Sequence, residues 1–498
     1  MTALSRRRLV TLGAAAFAAG AAPPALASAP ARAGEAVAFA AADLRADFAH
    51  MYERLRAAHI DLFAFTPRPV MDRAMAVTLA ELTRPMERLE AAKRLQRFLA
   101  LARMGHTRTD EPYHAWAAWR QSGGAGFPLR VRPMGGRLFV TGGVGAAPGD
   151  ELLAINDTPA SRWLERCGAY VSAETDYMRQ ALLETGFPRL LWLAAGPAAT
   201  YRVALRRDSR RLERRIAATT AAEAEAVAAA PPRLDLSAAD RSVRMLGDGV
   251  ACLRPGPFYN IEAASEADLF DARPFVAFID KAFETILAAE TRDLILDLRL
   301  NPGGDNSFSD PMIAWFADRP FRFFSRFEVR VSPEAIAANQ ARIDHDPLTA
   351  GEVSRLYADL YARSAPGSVA EFPLPFARPR EGSRFKGRVW LLIDRHSYSN
   401  AASAAALMQD YGFATVLGEP TSDMATTYGA METFTLPRPG RAVGFPTARI
   451  VRPSGDARIA GVTPDIPLSS PLLQTPADEV LAEALQSVIR RRSTAPGG

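Results

Sequence analysis

The stretch that most constrains this chain is RVWLLIDRHSYSNAASAAALMQDYGFATVLGEP at residues 388–420. It reads as an apolar strand (389–393), a polar turn (394–399), a helix (400–411) and a second strand (414–417). The strands are short and rich in branched residues, as in a parallel sheet covered on both faces. The helix is rich in alanine and has no interior Gly or Pro. Gly412 follows it, where a left-handed residue can end the helix. Ser399 therefore stands at the mouth of a strand–turn–helix unit, just ahead of the first helical amides. Those unpaired N–H groups and the positive end of the helix dipole favour an oxygen that becomes negative during acyl transfer. The plainer alternative is that Ser397 or Ser399 only caps the helix.

A second stretch, DLILDLRLNPGGDN at 293–306, repeats the pattern of an apolar strand running into a turn. Its Gly303-Gly304 pair can adopt positive φ and lets backbone N–H groups come close to a ligand. Three pieces, DLRLNPGG at 297–304, YSNAA at 398–402 and DYGFATVLGEP at 410–420, together resemble the tail-specific (C-terminal-processing) serine peptidase family. The last piece sets the alignment and puts Ser399, not Ser397, at the nucleophile position. The resemblance covers most of the chain beyond its leader and implies an α/β, ClpP/crotonase-like catalytic core.

Bulk properties exclude several other classes. The length of 498 residues suggests two or three domains, and 48% hydrophobic with 23% charged residues is ordinary for a globular chain. Formal net charge is +5, and removing Arg6, Arg7 and Arg8 with residues 1–27 leaves +2 (5 minus 3). The basic pI is thus no sign of nucleic-acid binding. Two cysteines, Cys167 and Cys252, cannot make a disulfide framework. No histidine or carboxylate grouping has metal-ligand spacing, so neither metal nor cofactor is expected. Residues 1–33 read as a twin-arginine signal: Ser5-Arg6-Arg7-Arg8, an alanine-rich run over 12–22, and Ala-Leu-Ala at 25–27. A periplasmic or secreted protein follows, with no stable membrane insertion after processing.

Along the chain, 34–128 reads as a helical region that carries Gly105-His106-Thr107. Two amphipathic runs flank a connecting loop at 60–67. Residues 129–218 resemble an inserted PDZ-like domain through RLFV at 137–140 and PGDELLAINDTP at 148–159, with Asp157 where the family has Gly. Such modules bind chain ends by strand addition. No GLGF-like carboxylate loop is recognisable, so a structural lid is the alternative role. An Ala/Glu/Pro-rich linker spans 219–240. The α/β core spans 241–475, with an insertion at 331–385 and a closing GVTPD at 461–465. An amphipathic helix ends the chain at 476–498.

The chemistry asks for a base near the serine and amides around the developing oxyanion. The Asn400 amide and the Gly303 or Gly304 amide are the expected oxyanion hole. Better-known relatives use a lysine about 25 residues after the serine. Here that position is Met424, and the chain's very few lysines lie far from the motifs. The resemblance is therefore to the lysine-less branch, related to tricorn core protease and interphotoreceptor retinoid-binding protein. There a histidine in the Gly-His-Thr segment is the base, which makes His106 the candidate. The branch's orienting glutamate aligns with Arg458, so Asp456 is the nearest substitute. His396 is a competing base, more simply read as a turn residue. His50, His59, His114 and His345 lack a partnering motif. The implied function is an exported serine peptidase acting on peptide or protein substrates. The alternative is a catalytically inactive ligand- or peptide-binding protein on the same fold.

Overall fold

Apolar residues at three- and four-residue spacing bring one face of the first helix, α1 (Ala41–Ala58), into the interior through Leu44, Phe48, Met51 and Leu55. In this computed structural model, three more helices complete the N-terminal region: α2 (Arg68–Glu81), α3 (Arg88–Ala100) and α4 (Glu111–Gln121). The structure describes residues 38–229, 240–264, 267–345, 352–438, 441–473 and 477–494. The expected leader lies outside the described residues. Helix α2 fills the stretch between the 60–67 loop and the second amphipathic run, where the sequence reading singles out no separate helix. It buries only Met71 and Met75, so its apolar stripe is thin.

Next comes an antiparallel sheet in simple order: β1 (Leu129–Met134), β2 (Arg137–Gly143), β3 (Glu151–Ile155), β4 (Thr200–Arg207) and β5 (Arg210–Ala217). Two helices, α5 (Ala160–Gly168) and α6 (Asp176–Ala195), intervene between β3 and β4. Their apolar faces share a core with the sheet through Trp163, Phe187, Leu190, Leu129 and Val203.

The C-terminal half is built on a six-stranded sheet. Its strands are β6 (Ser242–Gly247), β7 (Val250–Arg254), β8 (Asp293–Asp297), β11 (Arg388–Ile393), β12 (Thr415–Gly418) and β15 (Ile466–Pro467), in that spatial order. All neighbours are parallel except β6 with β7. The uniform apolarity of these strands follows from cover on both faces. Leu294, Leu296, Leu391 and Ile393 pack with helices α7 (Arg273–Ala288), α8 (Asn306–Ala314) and α11 (Asn400–Asp410). Ile295, Trp390, Leu392 and Leu417 face the opposite way, toward the C-terminal helix α12 (Glu479–Thr494). Truncating Leu391 to Ala would cost about 2–5 kcal/mol by opening a cavity there.

The 331–385 insertion forms helices α9 (Pro333–His345) and α10 (Glu352–Arg363) and strand β10 (Val369–Glu371). It belongs to an antiparallel side sheet ordered β10, β9 (Arg326–Arg330), β14 (Ala442–Val451), β13 (Thr427–Thr435). The loops after β8 and β11 leave the same edge of the parallel sheet, where ligands bind in open α/β folds.

Candidate active site

Strand β11 ends at Ile393, and the turn after it is tied to the turn after β8. The Asp394 carboxylate accepts from the Leu300 and His396 amides, each at 3.0 Å. The Ser397 hydroxyl donates to the Leu298 carbonyl at 2.8 Å and accepts from the Asp394 amide at 3.0 Å. The Tyr398 amide donates to the Asn301 carbonyl at 2.9 Å. Ser397 is thus the hydroxyl that holds the turn together.

Ser399 differs in both backbone and side chain. Its φ of +53° and ψ of −124° lie where a non-glycine residue is strained. It occupies the position before α11, yet its side chain makes no capping bond. Its amide donates to Asp423 Oδ2 at 2.6 Å. Gly303 lies directly against it. A Cβ on Gly303 would fall 2.7 Å from Ser399 Cβ, 2.7 Å from the Asn400 nitrogen and 2.5 Å from the Tyr398 carbonyl oxygen. Gly304 is excluded from other side chains by a different wall, the Phe258 carbonyl, 2.0 Å from where its Cβ would be.

The expected oxyanion donors separate on inspection. The Gly303 amide is occupied, donating to Asn301 Oδ1 at 2.9 Å, which corrects the expectation that it faces the site. The Gly304 and Asn400 amides have no acceptor among the described residues. Asn400 is the first residue of α11, so no carbonyl of its own helix can reach its amide. Its side chain is held by Ser309 Oγ at 2.9 Å.

His106 lies in the turn beyond α3, 4% exposed. Burial, and then the charge of Arg108, lowers its imidazole to about 4, so it is neutral at pH 7. The Tyr428 backbone carbonyl faces the ring, and Nδ1 is buried without a partner. Among the described residues no hydrogen bond joins His106 to Ser399. The segment is nevertheless close to the nucleophile turn, because a Cβ on Gly105 would fall 3.0 Å from the Tyr398 hydroxyl. His59 buttresses the segment from below, with Nε2 2.9 Å from Thr107 Oγ1.

Asp456 does not back His106. Its carboxylate is gripped by the Arg458 guanidinium at 2.7–3.0 Å, which holds it down at about 2. His396 points to Glu184, 3.6 Å from Oε2, so it belongs to the ion pairs of its own turn.

Two carboxylates that sequence reasoning missed stand at the site instead. Asp423 accepts from the Ser399 amide with one oxygen and from the Met424 amide at 2.8 Å with the other. Glu174 accepts from the Gly105 amide at 3.1 Å, and its second oxygen is buried without a partner. Burial, reinforced by Asp423, pushes Glu174 up to about 8, and burial pushes Asp423 up to about 6. Neither sits in a recognisable motif. Only the neighbourhood of Met424, the lysine-equivalent position, hinted at Asp423. Met424 itself is 2% exposed and buried in the core shared with α6.

A cavity of about 450 Å³ opens beside Tyr398 and Pro302, walled by Gly105 and Arg108. A larger cleft of about 1140 Å³, between α2, α3 and helices α5 and α6, contains none of these site residues. Among the described residues no cluster could hold a metal ion, and no helix is long and apolar enough to cross a membrane. Cys167 and Cys252 are buried and unpaired.

A serine freed from capping on a strained strand-to-helix turn, floored by a glycine, leaves its hydroxyl available for chemistry. Residues 273–468 match the model of peptidase family S41, so the chain carries a peptidase family S41 domain. That segment includes Ser399, Gly303, Gly304, Asn400 and Asp423, whereas His106 comes from outside it. The fold is similar to mature CPAF complexed with lactacystin, with a TM-score of 0.61 at 13% identity, over 91% of this chain and 97% of that one. Mature CPAF gives a TM-score of 0.60 at 14% identity, over 90% and 96%. The photosystem II D1 C-terminal processing protease is a looser match, with a TM-score of 0.45 at 16% identity, over 90% and 96%. No curated protein matches the chain in sequence.

Proposed function

We propose that this protein is an exported serine peptidase of the tail-specific type, with Ser399 as nucleophile. The observation that carries the reading is the Ser399 turn: a hydroxyl outside the capping network, on strained backbone, against Gly303 and the unengaged Asn400 amide. In this reading Ser399 Oγ attacks the scissile carbonyl while His106 takes its proton, later giving it to the leaving amine. The Asn400 and Gly304 amides receive the oxyanion, and each such donor contributes about 3–4 kcal/mol to lowering the barrier. A water then hydrolyses the acyl-enzyme. His106 must close on Ser399 when substrate binds, since catalytic hydrogen bonds often tighten only in the complex. Asp423 is a positioning residue that holds the nucleophile's own amide. The 129–218 module serves as the PDZ-like element, and the twin-arginine leader directs export.

A fluorophosphonate probe tests the reading. It should label the wild-type protein at Ser399 and not label Ser399→Ala. Labelling that continues undiminished in His106→Ala would remove His106 as the base. One observation favours a second reading, a ligand carrier on the same fold: among the described residues no carboxylate partners His106 Nδ1. An unlabelled protein that co-purifies with an apolar ligand, seen by native mass spectrometry, would support the carrier.

A further inference from the structure

The cavity beside the nucleophile turn has apolar walls and an unbalanced charge. Leu190, Pro302 and Tyr398 supply the apolar surface. The cationic side chains lining it are Arg108, Arg189 and Arg395, with the His396 imidazole beside Arg395. Arg395 is neutralised by a two-pronged bond to Glu419 and by Glu184, which His396 also faces. Arg108 spends Nε on Asp110 at 3.1 Å and Nη1 on the Gly105 carbonyl at 3.2 Å, leaving Nη2 buried without a partner. Arg189, on α6, has no acid within ion-pairing distance among the described residues. Its guanidinium lies over the Tyr113 ring, 5.1 Å from the centroid. Asp110 is near enough to be felt but is already engaged by Arg108. Burial, with Arg108 adding to it, holds Arg189 below the usual arginine range. A partly buried guanidinium without a counter-ion is costly, and a carboxylate is the group its planar fork fits best. Local sequence makes the room: Gly186 precedes Arg189 by nearly one turn, and a Cβ there would fall 3.1 Å from Nη2.

We propose that this cavity is a substrate subsite that takes a carboxylate, gripped by Arg189 with Arg108 beside it. The proposal rests on the peptidase reading for what the bound chain undergoes, though not for the binding itself. Two sources could supply the group, and the geometry separates them. Arg189, Tyr113 and Thr185 also line a second cavity, about 440 Å³, next to Phe127 and Leu129. A peptide whose C-terminal carboxylate reaches Arg189 ends in the first cavity. One that presents an Asp or Glu side chain continues into the second.

The test uses one randomised short-peptide library in three forms: free C-terminal acid, C-terminal amide, and C-terminal amide with a fixed internal Glu. The acidic positions of the library are otherwise omitted. Binding is measured on full-length Ser399→Ala protein, and cleavage by mass spectrometry on the wild type. At least one carboxylate-bearing form should bind at least tenfold more tightly than the plain amide, and the form that does so identifies the source. Arg189→Gln should reduce that preference to less than twofold, and Arg189→Lys should retain part of it, with melting curves confirming that both variants fold. Equal binding of all three forms, or a preference that survives in Arg189→Gln, would overturn the subsite. A carboxylate preference in a protein that neither cleaves nor reacts with fluorophosphonate would keep the subsite and remove the peptidase reading. Labelling at Ser399 without any preference would do the reverse.

Discussion

Replacing Gly303 with alanine puts one methyl group into the tightest contact of the site. The added Cβ would lie 2.5 Å from the Tyr398 carbonyl oxygen and 2.7 Å from both the Asn400 nitrogen and Ser399 Cβ. Ordinary contact begins near 3.4 Å, so the nucleophile turn must retreat by up to 0.9 Å (3.4 minus 2.5). Two of the three neighbours are backbone atoms and the third is a Cβ fixed to the backbone, in a turn held by the Asn301 and Asp423 hydrogen bonds, so no flexible side-chain end can absorb the shift. Two costs separate. The positive φ of +88° costs roughly 1–2 kcal/mol for any L side chain, and the overlap adds about 1–3 kcal/mol. A misplacement near 1 Å at a reacting group lowers rate by about 100-fold. Gly455 is the control: its φ is +83°, with nothing within 4 Å of its Cβ position. Gly455→Ala should lose a little stability and no reactivity. Gly303→Ala should stay folded, by circular dichroism and a melting curve, yet react with a fluorophosphonate about 100-fold more slowly. A folded Gly303→Ala labelled within about threefold of the wild-type rate would refute the claim that this contact sets the position of Ser399.

Other expectations follow from the buried titrating groups. Glu174 is raised from 4.5 to about 8, so the folded protein holds a proton that the unfolded chain has lost, and stability falls as pH rises across that window. Glu174→Gln should therefore gain on the wild type by up to about 5 kcal/mol between pH 4.5 and 8, read by denaturant titration; a difference that does not change with pH would count against it. His106 has the opposite sign. Lowered from 6.5 to about 4, it contributes stability that is present above pH 6.5 and lost as pH falls toward 4, on the order of 3 kcal/mol. His106→Gln should flatten that acid limb, and an unchanged limb would contradict the burial argument. Asp423→Ala leaves the Ser399 amide unpaired, at about 1–3 kcal/mol. Asp423→Asn should remove any inflection near pH 6 from the labelling-rate profile, whereas a profile identical to wild type would exclude Asp423 as a positioning residue.

Much of this architecture is legible in the sequence because one physical signal repeats. Uniformly apolar strands such as Leu294–Leu296 and Val389–Ile393 can only sit in a sheet covered on both faces, and the strand–turn–helix order after each fixes which edge carries the turns. Ser399 could be singled out because an alanine-rich helix begins immediately after it. Helix α2 escaped because a surface helix with two buried methionines has almost no periodic signal. The Gly303 amide could not be assigned, since its acceptor, Asn301 Oδ1, depends on a side-chain rotamer inside the turn. Asp423 and Glu174 were invisible for a different reason. They lie 24 and 225 residues from Ser399 (423 minus 399, and 399 minus 174), and only the packing of α6 against the nucleophile turn joins them.

Met424, at the position the resemblance pairs with a lysine, is best understood from its surroundings. Met424 belongs to the core that includes the α6 residue Met178, and Tyr398 and Ile459 pack against that same core. An ammonium there would have to give up its hydration in a largely apolar core. The neighbouring Asp423 grips the backbone of Ser399, not its hydroxyl. In the proposed reading the base for the hydroxyl comes from another segment, and the turn that carries Gly105 and His106 lies close to Tyr398. The same packing ties the His106 turn to the residues that lead into α6, because Glu174, just ahead of that helix, holds the Gly105 amide. On the proposed reading, serine and amide come from the turn before α11 and the imidazole from the turn beyond α3, so neither segment alone could form the site.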